Sequence, residues 1–366
     1  MSEEERKEVP RIDLSNLIPP YEDYESFADK AGNRLKLDDA AHGFNRRVGG
    51  ASNDFDREAK DFRMVNAWWL ADASTLVYDD PERVRAGFLA AGFTRVEFIG
   101  SALENRIGEN DTQCFVASNK DLSVVAFRGT ESGLRPKEER RPEDRKRSPD
   151  FTHIFNDIAT DARFKLVQFD EGGASKGRVH GGFKMAVDDV WKKLAAHLRE
   201  LNDGTRTFWF TGHSLGAALA VLAFAKTDAQ GDDLPDFDAH GLYTYGNPLT
   251  GDKDFVNYLD KVLKKRRAGY FRFVNNRDIV TVVPPEIFGF RHTGTLKFIN
   301  HSGEIGGGVG LLGRASNLVR GVLRRSFDVF GTINSPVARL IPEQLKDHVP
   351  TLYATHVWNA HVDESN

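Results

Sequence analysis

Residues Gly212-His213-Ser214-Leu215-Gly216 form a G-x-S-x-G pentapeptide. An apolar run, Thr207 to Thr211, leads into it, and an Ala-rich run, Leu215 to Lys226, leaves it. A strand feeding a helix through such a sequence is a nucleophile elbow, which holds the serine in a strained turn with Oγ exposed above a sheet. The two glycines give the chain room to turn and pack closely. The helix N-terminus presents free N–H groups beside the serine, suited to a developing oxyanion. Ser214 is therefore a candidate nucleophile for acyl transfer.

A serine nucleophile needs a base and a group that orients the base. In elbow folds the chain order is serine, acid, histidine. Asp278 follows the strand-like GYFRFVNN and precedes Pro284-Pro285, so it sits at the carboxyl end of a strand, beside the expected site. Asp252 and Asp254 are weaker candidates, since they read as the start of the next helix. Five histidines follow Asp278: His292, His301, His348, His356 and His361. Spacing alone does not choose among them. His348 lies in a loop-to-helix segment after Pro342, whereas His292 follows a strand-like FGFR, where a packed histidine fits.

These residues need a scaffold, and the chain's patterning supplies one. MVNAWWLADASTLVY reads as a helix with Val65, Trp68, Trp69, Asp72 and Leu76 on a wide apolar face. PERVRAGFLAAGF reads as a second helix, with Pro81 in its first turn and Gly92 near its end. Three strands follow, TRVEFIG, TQCFVAS and LSVVAFRGT, the last two joined by a turn at Asn119-Lys120-Asp121. From Gly181 onward, helices alternate with the strands TRTFWFTG, GLYTYG and GYFRFVNN. That alternation predicts an α/β fold with a mostly parallel central sheet and helices on both faces. Residues 1–60 are polar and Pro-interrupted and read as an N-terminal arm packed on or flanking one main domain, 61–366.

Composition excludes several classes. Of 366 residues, 40% are hydrophobic and 28% charged, which suits a folded protein with a sizeable core. With 50 basic against 54 acidic residues, the net charge of −4 gives no global basic field for nucleic acid. Cys114 is the single cysteine, so no internal disulfide and no cysteine-based zinc site can form. No run of 18 apolar residues is present. The opening MSEEERKEVPR is charged and lacks an apolar core, so the expectation is a chain without a leader and cytoplasmic.

The ordered series of motifs resembles the class 3 lipase family, the fungal-lipase-like branch of the α/β-hydrolases. It comprises Phe127-Arg128-Gly129-Thr130, then Val179-His180-Gly181-Gly182-Phe183, then the elbow. Tyr243-Thr244-Tyr245-Gly246-Asn247-Pro248 and Asn276-Arg277-Asp278-Ile279-Val280 with Pro284-Pro285 follow, and Asp347-His348 with Tyr353 ends the series. The resemblance covers about 65–354. It implies Ser214 as nucleophile, Asp278 as acid and His348 as base, with His292 structural. It also implies Thr130 as an oxyanion-hole residue, its N–H paired with that of Leu215. Arg128 reads as a buried structural ion pair. The expected activity is hydrolysis of lipid esters, triacylglycerol or other fatty-acyl esters, with no metal or organic cofactor. A phospholipase A1, a soluble carboxylesterase and an inactive lipid-binding member are the alternatives.

Three departures accompany the resemblance. Secreted fungal members carry disulfides, and none can form here. A charged insert at 131–155, including RPKEERRPEDRKR at 135–147, separates the oxyanion loop from the lid-like Asn156-Asp157-Ile158-Ala159-Thr160-Asp161. A second insert, 303–331, carries eight glycines in 29 residues. Within it, 311–327 places Leu311, Ala315, Leu318, Val319, Val322 and Leu323 on one helical face and Arg314, Arg320, Arg324 and Arg325 on the other. Such a helix suits a lid or peripheral contact with an anionic lipid surface; packing on the core with solvated arginines is the plainer alternative. Oligomeric state is not legible.

Overall fold

A computed structural model describes residues 55–79, 81–100, 113–129, 165–170, 173, 175–229, 234, 237–307 and 347–365. Its centre is a sheet of eight described strands in the order β1-β2-β3-β6-β7-β9-β11-β12. These are β1 (Arg95–Gly100), β2 (Gln113–Ser118), β3 (Leu122–Phe127), β6 (Thr207–His213), β7 (Ala239–Tyr245), β9 (Gly269–Asn275), β11 (Thr295–Ile299) and β12 (Ile305–Gly306). The run from β3 through β6, β7 and β9 to β11 is parallel throughout. The pairs β1–β2, β2–β3 and β11–β12 are antiparallel. The β2–β3 turn is built as its sequence requires: Asn119 Oδ1 accepts from the N–H groups of Asp121 and Leu122.

The central strands are apolar on both faces, as burial under helices on each side demands. Trp209, Tyr243, Tyr245, Phe271 and Phe273 enter one core; Phe208, Phe210, Leu242 and Tyr270 enter the other. On the first face lie α1 (Met64–Leu76), α2 (Pro81–Ala90) and α6 (Pro350–Ser365). On the second lie α3 (Gly181–Leu201), α4 (Leu215–Ala229) and α5 (Lys253–Arg266). A strand–elbow–helix crossover at the middle of a mostly parallel, doubly covered sheet is the α/β-hydrolase architecture.

Two details differ from the sequence reading. Helix α1 does not have one apolar face: every residue from Asn66 to Leu76 is buried, Asp72 included, while Val65 is only partly so. It is packed between the sheet and α6, so a two-sided burial replaces the expected stripe. The second is a small sheet of short strands, only one of which, in the strand-like FGFR, shows in the sequence. β4 (Leu166–Gln168), β5 (Arg178–His180), β8 (Gly251–Asp252) and β10 (Phe290–Arg291) form a separate four-stranded sheet in the order β10-β8-β5-β4.

Of the expected arm 1–60, residues 1–54 lie outside the described residues. Phe55 packs into the first core, edge-on to Trp69 and Trp209, and Asp56 exchanges two backbone hydrogen bonds with the Asn66 amide. The insert 131–155, the lid-like 156–161 and the amphipathic 311–327 also lie outside the described residues. Of the second insert, Gly303 to Gly307 are described, and they carry β12.

Candidate active site

The site stands at the carboxyl ends of three neighbouring parallel strands. Ser214 follows β6, Gly246 follows β7, and Asp278 follows β9 after a two-residue turn. Ser214 has φ 59°, the left-handed conformation that costs a side-chain-bearing residue energy. The flanking glycines make this turn possible. A Cβ on Gly212 would collide with the Gly216 carbonyl, and one on Gly216 would collide with the Phe127 carbonyl at the end of β3. Ser214 N–H donates to the Tyr245 carbonyl at 3.0 Å, fixing the elbow to β7.

His348 lies two residues before α6 and is fully buried, as are Ser214 and Asp278 to within 1%. Its Nε2 is 2.7 Å from Ser214 Oγ, and its Nδ1 is 2.7 Å from Asp278 Oδ2. A carboxylate only accepts, so Nδ1 carries the proton and Nε2 is left to accept from the serine hydroxyl. Gly246 leaves space for this arrangement, since a Cβ there would stand 2.9 Å from both Asp278 Oδ2 and the imidazole.

Asp278 is held by three donors. Its Oδ1 accepts from Val280 N–H at 2.9 Å; its Oδ2 accepts from His348 and, at 2.6 Å, from the Tyr353 hydroxyl. Tyr353 in turn accepts the Asn275 N–H at 2.9 Å. Burial, with the Asp278 charge beside it, drives the Tyr353 hydroxyl well above its ordinary value, so it stays a donor.

Asp347 is not used by that relay but clasps its loops. Its Oδ2 accepts from Asn276 Nδ2 at 3.0 Å and Arg277 N at 3.1 Å, and its carbonyl accepts from Asn275 Nδ2 at 2.9 Å. Burial pushes its carboxyl up to about 6 from 3.8; the Arg277 N–H opposes this and the Asp278 charge adds to it. A folded-state value above the unfolded one means that the folded protein holds more protons between about pH 4 and 6. Stability therefore falls as pH rises through that window. Asp347→Asn is expected to gain on the wild type between about pH 4 and 6.5, by up to about 3 kcal/mol at neutral pH. Denaturant unfolding of both proteins at the two pH values measures it; a difference that does not grow with pH contradicts this origin.

The other sequence candidates fall elsewhere. Asp252 is the N-cap of α5, accepting from Asp254 N and Phe255 N, and pairs with Arg178 at 2.9 Å. Asp254 is in the first turn of α5. His292 follows β10 and contacts the Thr281 carbonyl through Nε2 at 2.6 Å; burial and the Arg272 charge hold it well below its ordinary value. His356 is buried within α6 and lowered to about 4 by burial; His361 stacks on Trp68, and His301 lies in the turn after β11. Leu215 is the first residue of α4. Arg128 donates from Nη2 to the Tyr78 carbonyl at 3.4 Å. Thr130 lies outside the described residues. Sequence reasoning gave no role to Tyr78, His213 or Asp347. His213 stood inside the pentapeptide, yet its neighbour across space, Tyr78, carries no local signal.

The fold and this constellation define an α/β-hydrolase with a serine elbow. Residues 151–288, which include both Ser214 and Asp278, match the family model of the class 3 lipases. That match falls where the motifs suggested a resemblance to this family, and it covers somewhat over a third of the chain. It is 37% identical over 117 residues to a secreted mono- and diacylglycerol lipase of Fusarium solani, covering 31% of this chain and 32% of that one. It is 33% identical over 174 residues to a secreted mono- and diacylglycerol lipase of Malassezia globosa, covering 46% and 49%. The chain thus spans about a third to a half of the length of these curated relatives. Among solved structures, the Rhizomucor miehei lipase propeptide complex superposes with a TM-score of 0.48 at 25% identity, covering 66% of this chain and 68% of that one.

The expectation of a cytoplasmic chain does not stand, because these curated relatives are named as secreted lipases. It rested on the charged opening MSEEERKEVPR and the single cysteine, and neither reports a compartment. Cys114 is buried in β2, and burial pushes its thiol up to about 12, which disfavours the reactive thiolate.

Proposed function

We propose that this chain is a serine ester hydrolase acting on fatty-acyl esters of glycerol. The observation that carries the reading is the pair of 2.7 Å contacts that joins Ser214 Oγ through His348 to Asp278 on a strained elbow. Ser214 Oγ attacks the ester carbonyl while His348 Nε2 takes its proton. Asp278 holds the imidazole in the required tautomer and stabilises the imidazolium. The N–H of Leu215, with that of Thr130, receives the oxyanion. His348 then protonates the leaving alcohol. Water, deprotonated by the same imidazole, attacks the acyl-enzyme and releases the fatty acid and free Ser214.

Glycerides are the substrate class because relatives at 33–37% identity are named as mono- and diacylglycerol lipases. A panel of esters of graded acyl length, with mono-, di- and triacylglycerols and a phospholipid, tests the reading. The expected result is highest kcat/KM on a glyceride, with a rate increase once substrate passes its solubility limit. Preference for the phospholipid, or simple saturation on soluble esters with no glyceride turnover, would replace it.

A further inference from the structure

Tyr78 follows the end of α1 and is 3% exposed. Its hydroxyl lies 3.1 Å from Gly129 N, just beyond β3, and 3.2 Å from His213 Nδ1. His213 Nε2 lies 2.6 Å from the carbonyl oxygen of His348. The directions of these bonds follow from chemistry alone. A carbonyl only accepts, so His213 Nε2 carries a hydrogen. A backbone amide only donates, so the Tyr78 oxygen accepts from Gly129. With Nε2 protonated on a neutral ring, Nδ1 is bare, so the 3.2 Å contact is a donation from the Tyr78 hydroxyl; that oxygen's contact with the His213 carbonyl is longer, at 3.4 Å. The chain reads Gly129 N–H to Tyr78 O–H to His213 Nδ1, then His213 Nε2–H to His348 C=O.

From this geometry we infer that Tyr78 and His213 are positioning residues that hold His348 against Ser214. His213 is covalently next to Ser214, and His348 touches both residues. The 2.7 Å contact between hydroxyl and imidazole is thereby one side of a small closed ring, whose other side is the His213–His348 hydrogen bond. His348 sits outside the helix, two residues before α6, and its own backbone is gripped here by the residue adjoining the nucleophile. Tyr78 extends the grip to the end of β3, one residue before Thr130. The space is tight, since a Cβ on Gly129 would collide with the Tyr78 hydroxyl and stand 2.9 Å from the His213 carbonyl.

The clasp also requires an uncharged His213. Its ring centroid is 4.6 Å from that of His348, and a second cation there would repel the imidazolium formed in the reaction. Among the described residues, the rings facing His213 are those of Tyr78, His348 and Tyr353. Burial and the neighbouring His348 hold His213 well below the ordinary value, against the hydrogen bond to the His348 carbonyl.

The catalytic part of this inference rests on the proposed hydrolase activity, and the test keeps the two apart. His213→Gln can place an amide N–H where Nε2 stands; His213→Asn reaches only the Nδ1 position and keeps the Tyr78 contact alone. With p-nitrophenyl butyrate as probe, His213→Asn should lower kcat about 10- to 100-fold with KM changed by less than about twofold. His213→Gln should recover most of that loss, with both variants melting together. Equal kcat in the two variants, or a loss that follows the melting temperature, overturns the inference.

Nitrogen-15 histidine spectra of the wild type supply a readout without turnover. His213 should appear as the neutral Nε2–H tautomer at about pH 6, with its Nδ1 signal moved by Tyr78→Phe. A proton on Nδ1, or a cation at that pH, overturns the clasp even if esters are hydrolysed. A protein that turns over no ester defeats the proposed function instead, and the spectra still decide the clasp.

Discussion

Ser214→Ala is expected to lower ester turnover by about 10⁵- to 10⁶-fold while leaving the fold intact. The replaced atom is the hydroxyl oxygen 2.7 Å from His348 Nε2, and no bond within the scaffold depends on it: the elbow is held by Ser214 N–H on the Tyr245 carbonyl and Ala217 N–H on the Ser214 carbonyl. Alanine at φ 59° carries the same backbone strain as serine, so stability should change by less than about 1 kcal/mol. The variant retains the N–H groups at the start of α4, which can polarise a bound ester, so some turnover above the uncatalysed rate is expected to persist. Single-turnover assays on a glyceride, with thermal unfolding alongside, measure both quantities. Turnover near the wild-type rate would remove Ser214 from the chemistry and the reading with it.

The second large effect is a contrast between two histidines that spacing alone left equivalent. His348→Ala deletes the group lying between Ser214 and Asp278 and leaves the Asp278 carboxylate buried without its imidazole partner. A loss of about 10⁴- to 10⁶-fold in kcat is expected, together with slowed labelling of Ser214 by a fluorophosphonate. His292→Ala deletes a contact to the Thr281 carbonyl instead. Its expected cost is stability, about 1–3 kcal/mol from a buried acceptor left unpaired, with kcat within a few-fold when assayed well below the melting temperature. A folded His292→Ala protein as inactive as His348→Ala would reverse the choice of base.

Ser214 and Asp278 were both legible because each stands where local pattern turns into position. An apolar strand followed by glycine, serine and an Ala-rich helix permits only a tight crossover. An aspartate after the last residues of a strand belongs at the end of the sheet where the serine also stands. The short strands β4, β5 and β8 were not legible, because two or three residues cannot display a period of two; β10 showed only as the strand-like FGFR before His292. Helix α1 was misjudged as one-faced because α6, which covers its other side, lies nearly 300 residues away in sequence.

The chain's own residues determined the alternation of strand and helix, the elbow and the glycines without which it could not close, since these depend on backbone freedom and neighbours a few positions apart. Which histidine meets the serine, that Tyr353 and His348 converge on one carboxylate oxygen, and that Tyr78 reaches His213 were decided only by tertiary packing. Those contacts join residues separated by 70 to 135 positions. Hydrogen bonds act over about 3 Å, so their partners are set by how the layers stack and not by spacing along the chain; only the motif resemblance pointed to His348 beforehand.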